Sequence, residues 1–184
     1  MCPASSSTSW FRKGVTALAC IAAAVSLAAS VSCGYHLARK GERLPGGIKR
    51  IAIPVFKNET YEAGIEDVLT DALIAEFLNS RWVTLSSVED SDAKIMGVVK
   101  DFVTSPIAFR ASEFAVEYRA RIKCKIQLRD RDGKVLWEDE TLSESEEYEV
   151  TVDIFQSEAN KARAVERLAR NLMEEVHDRI FDGF

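Results

Sequence analysis

The chain has 184 residues, of which 29 are acidic and 24 are basic, so its formal net charge at pH 7 is −5. A domain that binds duplex DNA is expected to be basic, so this balance argues against nucleic acid as a partner. The length is enough for one domain with a hydrophobic core, and no internal repeat follows the N-terminal region.

The N-terminal region has the pattern of a bacterial lipoprotein signal. Arg12 and Lys13 precede an uncharged, Ala-rich stretch over residues 14–31, which ends in small residues before Cys33. This pattern predicts that residues 1–32 are a signal peptide that is removed. Cys33 then becomes the first residue of the mature protein and carries the acyl chains, palmitate among them, that hold it at a membrane.

Neighbouring residues qualify that interpretation. Ser30 stands where such signals usually carry Leu, and Cys20 is a second candidate whose apolar stretch is too short. Gly34 rather than Asp follows Cys33, which favours the outer membrane of a Gram-negative cell, on its periplasmic side. An uncleaved transmembrane helix and a cleaved soluble export signal are the alternatives. Signal removal would leave Cys124 as the free thiol, which we interpret as a small buried apolar residue in a strand.

The mature chain is predicted to begin with a lipid-anchored tether, residues 33–47, followed by a single α/β domain over residues 48–184. The 14 residues that follow Cys33 span at most about 50 Å when fully extended. The tether is not a Ser/Gly/Pro-rich linker. We therefore expect the domain to work close to its membrane.

The sequence of the first half of the domain predicts strands on either side of a helix. A β-branched run at residues 50–56 predicts a buried strand. Residues 62–79 carry apolar side chains at helical spacing and predict an amphipathic helix, with capping oxygens offered by residues 58–60. A short strand at 82–86 and a longer one at 93–104 complete this half.

The sequence of the second half of the domain predicts a β-hairpin followed by a long helix. Residues 113–129 alternate strongly, Asp132 and Gly133 mark a hairpin turn, and residues 134–142 form the returning strand. A C-terminal helix ends near Asp182. The order β-α-β-β-β-β-α predicts an α+β fold: a two-layer sandwich with two helices packed on one face of a mixed, mainly antiparallel sheet of about four to five strands. A right-handed crossover is expected at the first helix.

Two segments resemble the LptE family of lipopolysaccharide-assembly lipoproteins. They are the start Cys33-Gly34-Tyr35-His36-Leu37 and the run Leu44-Pro45-Gly46-Gly47-Ile48-Lys49-Arg50-Ile51-Ala52-Ile53-Pro54-Val55-Phe56-Lys57-Asn58-Glu59-Thr60. The same pattern continues in Glu117-Tyr118-Arg119 and in Asp132-Gly133-Lys134-Val135-Leu136-Trp137. The resemblance covers residues 33–181. It implies a small non-enzymatic α/β plug inside the β-barrel of a 1:1 partner, LptD, which it helps to assemble. The two proteins together carry lipopolysaccharide to the outer leaflet.

The strand at residues 113–129 carries a basic stripe opposite its apolar face. The stripe consists of the candidate lipopolysaccharide ligands Arg119, Arg121 and Lys123, followed by Lys125 and Arg129, and is interrupted only by Gln127. Cations in a row would suit the phosphates and carboxylates of lipopolysaccharide. A solvated sheet face is the alternative, since Lys125 should lie across from Glu138 or Glu140. Arg119 and Arg121 are expected to lie beyond the best-paired part of the hairpin.

A predicted loop at residues 105–111 is a second candidate site. It places Ile107 and Phe109 beside Arg110, and apolar residues next to a cation suit a molecule with acyl chains and a charged head. The family has a Phe-Arg pair at this loop, whose arginine is implicated in lipopolysaccharide contact. The resemblance therefore implies this role for Arg110, with Phe109 as its neighbour. The alternatives are that the apolar side chains pack on the domain or that the loop touches the barrel wall.

The sequence indicates no catalytic or metal site. The acidic segment 138–149 lacks the spacing of a calcium loop, and we interpret it as a solvated strand end and loop. His36 and His177 form no cluster with metal-ligand spacing, so we expect neither a cofactor nor enzymatic activity. The alternative function is an activator lipoprotein of a cell-wall synthase, or a secretion-channel subunit, with a similar small α/β domain. The short tether argues against an activator that must reach across the periplasm.

Overall fold

The computed structural model describes residue 44 and residues 47–80, 82–109 and 115–183. The predicted signal peptide, Cys33 and Arg110 lie outside the described residues. Neither helix of the described ranges is long and apolar enough to cross a membrane.

Six strands and two helices follow one another along the described chain. In order they are β1 (Arg50–Ala52), β2 (Lys57–Asn58), α1 (Ile65–Asn79), β3 (Thr84–Leu85), β4 (Ala93–Phe109), β5 (Ala115–Asp130), β6 (Val135–Glu149) and α2 (Ile154–Asp182). The strand order in the sheet is β3-β1-β4-β5-β6, with β2 also paired to β4. Contacts of β1 with β3 and β4, and of β2 with β4, are parallel, whereas β4, β5 and β6 are antiparallel.

Both helices contribute to one hydrophobic core on one face of this mixed sheet. Its largest fully buried side chains include Phe77 of α1, Ile122 and Ile126 of β5, and Leu168 and Leu172 of α2. The predicted α+β sandwich is therefore confirmed. The connection from β1 through α1 to the parallel strand β3 is the expected β-α-β unit.

Of the predicted strand at residues 50–56, only the first three residues form a strand, and Pro54 explains the break before β2. Proline has no N–H to donate to a ladder, so the chain leaves the sheet after Ala52 and returns at Lys57. The N–H of Phe56 instead donates to Thr70 Oγ1 of α1 at 3.0 Å. This interruption lets both short strands pair with successive parts of β4.

Helix α1 begins three residues later than predicted, because Gly64 rather than Asn58 or Thr60 precedes its first turn. Gly64 has a φ of 84° and provides no side-chain cap. The Asn58 Oδ1 atom accepts bonds from the N–H and the hydroxyl of Thr60, each at 2.8 Å. The predicted capping oxygens therefore stabilise the loop before the helix, and the prediction that they cap it is wrong.

Two of the antiparallel strands, β4 and β6, are longer than predicted. Residues 105–109 belong to β4 instead of a loop, and β6 continues to Glu149 instead of ending at Leu142. Strand β5 buries alternate residues against the helices, and Cys124 among them is 1% exposed. Burial raises the pKa of the Cys124 thiol to about 12. The interpretation of Cys124 as a small buried apolar residue is confirmed.

Ion pairs join α2 to the helix-facing side of β6. Arg167 Nε donates to Glu146 Oε1 at 2.6 Å, and the Arg179 guanidinium contacts the Asp139 carboxylate. Between these two ion pairs, Leu142 packs in the hydrophobic core. Residues 138–149 form a continuous strand, so the predicted loop is wrong, whereas four of the carboxylates are exposed as predicted for a solvated segment. Asp139 and Glu146 link this strand to the long helix.

Leu44 packs in the hydrophobic core although it lies within the predicted tether. It is 3% exposed and belongs to the same cluster as Ile48 and Ile51. The folded domain therefore includes at least one side chain from before residue 48.

Candidate ligand-binding surface

The basic stripe lies on the face of β5 that is turned away from the helices. The opposite, buried face of β5 carries Ala120, Ile122, Cys124, Ile126 and Leu128. Because side chains alternate along a strand, residues 119, 121, 123, 125, 127 and 129 share the outer face. The structure thus confirms that the predicted cations lie on one surface.

At the C-terminal end of the stripe, carboxylates of β6 neutralise Lys125 but not Arg129. Lys125 Nζ contacts Glu138 Oε1 at 3.1 Å and also contacts Glu140. The hydrogen bond to Glu140, followed by that to Glu138, raises the pKa of Lys125 above its ordinary value. Arg129 donates to Gln127 Oε1 from Nη2 at 2.6 Å. Lys125 was predicted to lie across from Glu138 or Glu140, and it contacts both, so its charge is already neutralised.

Arg119, at the N-terminal end of the stripe, also has a carboxylate partner. Its Nη2 atom donates to Glu147 Oε1 at 2.6 Å, and both side chains are about half exposed. This pair exists because β6 extends to Glu149 and so places Glu147 across from Arg119. The expectation that Arg119 and Arg121 lie beyond the best-paired part of the hairpin is wrong, because both residues pair with β6.

Arg121 and Lys123, in the middle of the stripe, have no such partner. They lie across from Ser145 and Ser143 of β6, and both cations are exposed. Within the described residues, neither forms an ion pair or a side-chain hydrogen bond. Their charge is therefore available to an anionic ligand, and we call Arg121 and Lys123 the open cation pair.

Because Ser143 and Ser145 are uncharged, the two cations have no charged partner on β6. This feature was not predicted from the sequence. The returning strand was predicted to end at Leu142, so its serines were not placed opposite β5. On the other side, the residues of β4 across from the open cation pair are Val103 and Asp101. Extending the register of the first pair, Arg129 with Val135, would have placed Thr141 across from Lys123, because two register shifts lie between the turn and the serines.

Phe109 lies at the end of β4, away from the open cation pair. It is 61% exposed and pairs with Ala115, whereas Ser105 pairs with Arg119. Four strand positions, about 14 Å at 3.4 Å per residue, separate Phe109 from Ser105. Phe109 and the open cation pair are therefore separate parts of one extended surface. The role predicted for Arg110 stays a prediction.

No group of three or more His, Cys, Asp or Glu side chains within the described ranges is arranged to hold a metal ion. His177 packs between Phe77 and Phe181 in the core, with ring centroids 5.1 and 4.8 Å away. Five acidic residues of β6 contact cations of β5 and α2, namely Glu138, Asp139, Glu140, Glu146 and Glu147.

Comparison with known proteins agrees with this architecture. A solved protein from Xanthomonas campestris has 16% sequence identity and a TM-score of 0.53, over 73% of this chain and 85% of that chain. A hypothetical protein from Chlamydia trachomatis has 8% identity and a TM-score of 0.50, over 74% and 96%. An uncharacterised lipoprotein B from Nitrosomonas europaea has 13% identity and a TM-score of 0.48, over 80% and 90%. At these identities the first two likenesses show the fold alone.

No curated protein matches the chain. The family model for LptE, described as lipopolysaccharide-assembly, matches residues 48–180. That match covers well over half of the chain and includes every strand and nearly all of both helices. The chain therefore belongs to the LptE family of lipopolysaccharide-assembly proteins.

Proposed function

We propose that this chain is an outer-membrane lipoprotein that binds lipopolysaccharide during its transport to the outer leaflet. It would plug the lumen of an LptD-like β-barrel in a 1:1 complex and assist the assembly of that barrel. Cys33 would carry the acyl anchor and hold the domain on the periplasmic side. The protein acts by binding and positioning, without catalysis.

The open cation pair is the observation that supports lipopolysaccharide binding most directly. A chain with net charge −5 would repel a polyanionic lipid unless it offered a local cationic surface. Arg121 and Lys123 provide two adjacent exposed cations, flanked by neutral serines on β6. Arg121 can bind a phosphate through two parallel hydrogen bonds, and Lys123 adds a point charge on the same strand face.

A matched pair of double variants tests this role. Arg121→Ser/Lys123→Ser is expected to weaken binding of purified lipopolysaccharide to the soluble domain by roughly ten- to a hundredfold, since charge-assisted hydrogen bonds are lost. The control Lys134→Ser/Arg170→Ser removes the same charge from two exposed positions outside the stripe. Equal weakening by both variants, or none by the first, would contradict the assignment. Fluorescence titration at two salt concentrations measures the affinity of both double variants for lipopolysaccharide.

Arg110 is tested separately. On this proposal, Arg110→Asp weakens lipopolysaccharide binding without lowering the melting temperature of the domain. Unchanged binding would remove Arg110 from the ligand surface and leave the open cation pair as the anionic site.

Purification of the tagged protein from detergent-solubilised outer membranes tests the partner. An LptD-like barrel in equal molar amount is expected. Recovery of a cell-wall synthase without a large barrel would contradict the proposed function.

A further inference from the structure

The turn that connects β6 to α2 presents three large apolar side chains to solvent. Val152 is 101% exposed, Ile154 is 75% exposed and Phe155 is 88% exposed. We call these three residues the apolar turn. Single exposed apolar side chains are common on protein surfaces, but three within four consecutive residues form a patch that marks an interaction site.

Ile154 continues the buried stripe of α2 beyond the packed domain. Residues 154, 158, 161, 165 and 168 follow helical spacing, and Val165 and Leu168 at the inner end are buried. Lys161 Nζ binds Glu62 Oε1 at 2.7 Å, where the chain approaches the start of α1. The first turn of α2 lies further out, so Ile154 occupies a core-facing helical position but is exposed.

Hydrogen bonds hold the apolar turn in one conformation. Asp153 Oδ1 accepts from the N–H of Phe155 at 2.9 Å and from that of Gln156 at 3.3 Å. The Thr151 N–H donates to Ser157 Oγ at 2.9 Å, and this hydroxyl donates to the Thr151 carbonyl at 3.1 Å. A patch that is already ordered loses little conformational entropy on binding, so its apolar area is available to stabilise a complex.

The charges around the apolar turn distinguish its partner from lipopolysaccharide. Glu149, Asp153 and Glu158 lie beside it, and neither glutamate forms an ion pair with a described residue. Of the nearest cations along α2, Lys161 is already paired with Glu62, and Arg163, which lines a cavity with Glu149, donates to Asn160 Oδ1 at 2.6 Å. An acidic border repels lipopolysaccharide and anionic lipid surfaces alike, whereas it attracts a protein surface that carries Lys or Arg.

We infer that the apolar turn inserts into an apolar pocket, bordered by Lys or Arg side chains, on the lumen side of the barrel partner. This inference rests on the proposed function, which supplies the β-barrel as the partner. It adds the surface by which this chain docks and the chemistry of the receiving site. Lipopolysaccharide binds elsewhere, at the open cation pair on the sheet.

The double variant Ile154→Asp/Phe155→Asp tests the docking. Aspartate in the first turn of a helix interacts favourably with the helix dipole, so the isolated domain should melt within about 2 °C of the wild type. Recovery of the barrel with the tagged full-length chain is expected to fall at least tenfold, while lipopolysaccharide binding by the isolated domain is unchanged. Leu78→Asp/Val88→Asp, which alters two exposed apolar residues elsewhere, is the control and should keep wild-type recovery.

The outcomes separate this inference from the proposed function. Wild-type recovery of the barrel by Ile154→Asp/Phe155→Asp overturns the docking inference alone. Failure of the wild-type chain to recover any barrel overturns the proposed function and the inference with it. A photo-crosslinking residue at position 155 provides the second measurement. We expect a covalent adduct with a barrel peptide that contains Lys or Arg, and an adduct with phospholipid or lipopolysaccharide instead would refute the docking.

Discussion

Gly97 occupies a position of β4 where the Phe56 ring packs directly on the backbone. A Cβ atom added at Gly97 would lie well inside van der Waals contact of three ring atoms of Phe56. Phe56 is 3% exposed, so its ring has little room to move. Glycine is therefore required here by close approach, which is a common reason for glycine inside a strand.

We expect Gly97→Ala to lower the free energy of unfolding by about 1–3 kcal/mol, because it overpacks a filled core. Urea denaturation measures the change. Adding Phe56→Leu, which shortens the opposing side chain, should make the Gly97→Ala step less costly than it is beside Phe56. A Gly97→Ala protein as stable as the wild type would contradict the close contact.

Two carboxylates give the domain a pH-dependent stability. The Arg50 side chain, together with the N–H groups of Arg50 and Lys49, lowers the pKa of Asp92 from 3.8 to about 2. Hydrogen bonds from Lys100 and Lys57 lower the pKa of Glu59 from 4.5 to about 2. Both groups bind protons more weakly in the folded state. Their contribution to the free energy of unfolding is therefore complete above pH 5 and is lost as the pH falls towards 2.

The midpoint of urea unfolding should accordingly decrease between pH 5 and pH 2.5. Asp92→Asn removes one of the two titrations and should make this decrease smaller. Glu117→Gln, at a group without such a lysine or arginine bond among the described residues, is the control and should leave the slope unchanged. A slope identical in the wild type and in Asp92→Asn would refute the role of Asp92.

The individual residues also show what strand alternation can predict. It placed Arg121 and Lys123 on the same face, and the position of the hairpin turn placed Lys125 across from Glu138 or Glu140, both of which it contacts. It did not place Glu147 beside Arg119, because a period of two shows which face a residue occupies and not how far the neighbouring strand continues. The partner of each cation depends on that length.

At the scale of single elements, the start of α2 depends on one side chain. Asp153 accepts hydrogen bonds from two otherwise unpaired N–H groups of the first turn. We expect Asp153→Ala to lower the free energy of unfolding by about 1 kcal/mol, while Asp153→Asn retains most of the stability because asparagine also caps well. Thermal unfolding of the two variants provides the measurement, and equal loss in both would argue against the cap.

Element ends were predicted less well than element types, for identifiable reasons. The apolar run at residues 50–56 contained the strand signal but also Pro54, whose missing N–H divides it. The region before α1 contained several capping oxygens, and which of them would cap depended on the loop that Asn58 and Thr60 form. These outcomes depend on hydrogen bonds with distant partners such as Thr70, which local sequence does not specify.

At the scale of the molecule, the N-terminal boundary of the domain can be tested. Leu44 is buried in the core, so Leu44→Ala should lower the free energy of unfolding by about 2–5 kcal/mol. Leu78→Ala, at an exposed position, should have almost no effect. A fully stable Leu44→Ala protein would restore the boundary predicted at residue 48.

The fold class followed from the order of elements, whereas the order of strands in the sheet did not. The hairpin of β5 and β6 is local, and its turn is marked by Gly133. The pairing of β1 with both β3 and β4 joins segments more than 30 residues apart. Such contacts arise from the packing of α1 over the sheet, and several arrangements would satisfy the same apolar pattern.

The burial of Leu44 also limits how far the domain can reach. With Cys33 acylated as proposed, residues 34–43 are the chain between the anchor and a side chain fixed in the core. Ten residues span at most about 35 Å, so the core around Leu44 can lie no further than that from the anchored end. The reach of the domain from its membrane is therefore set by where its core begins, and it is shorter than the length of the whole predicted tether.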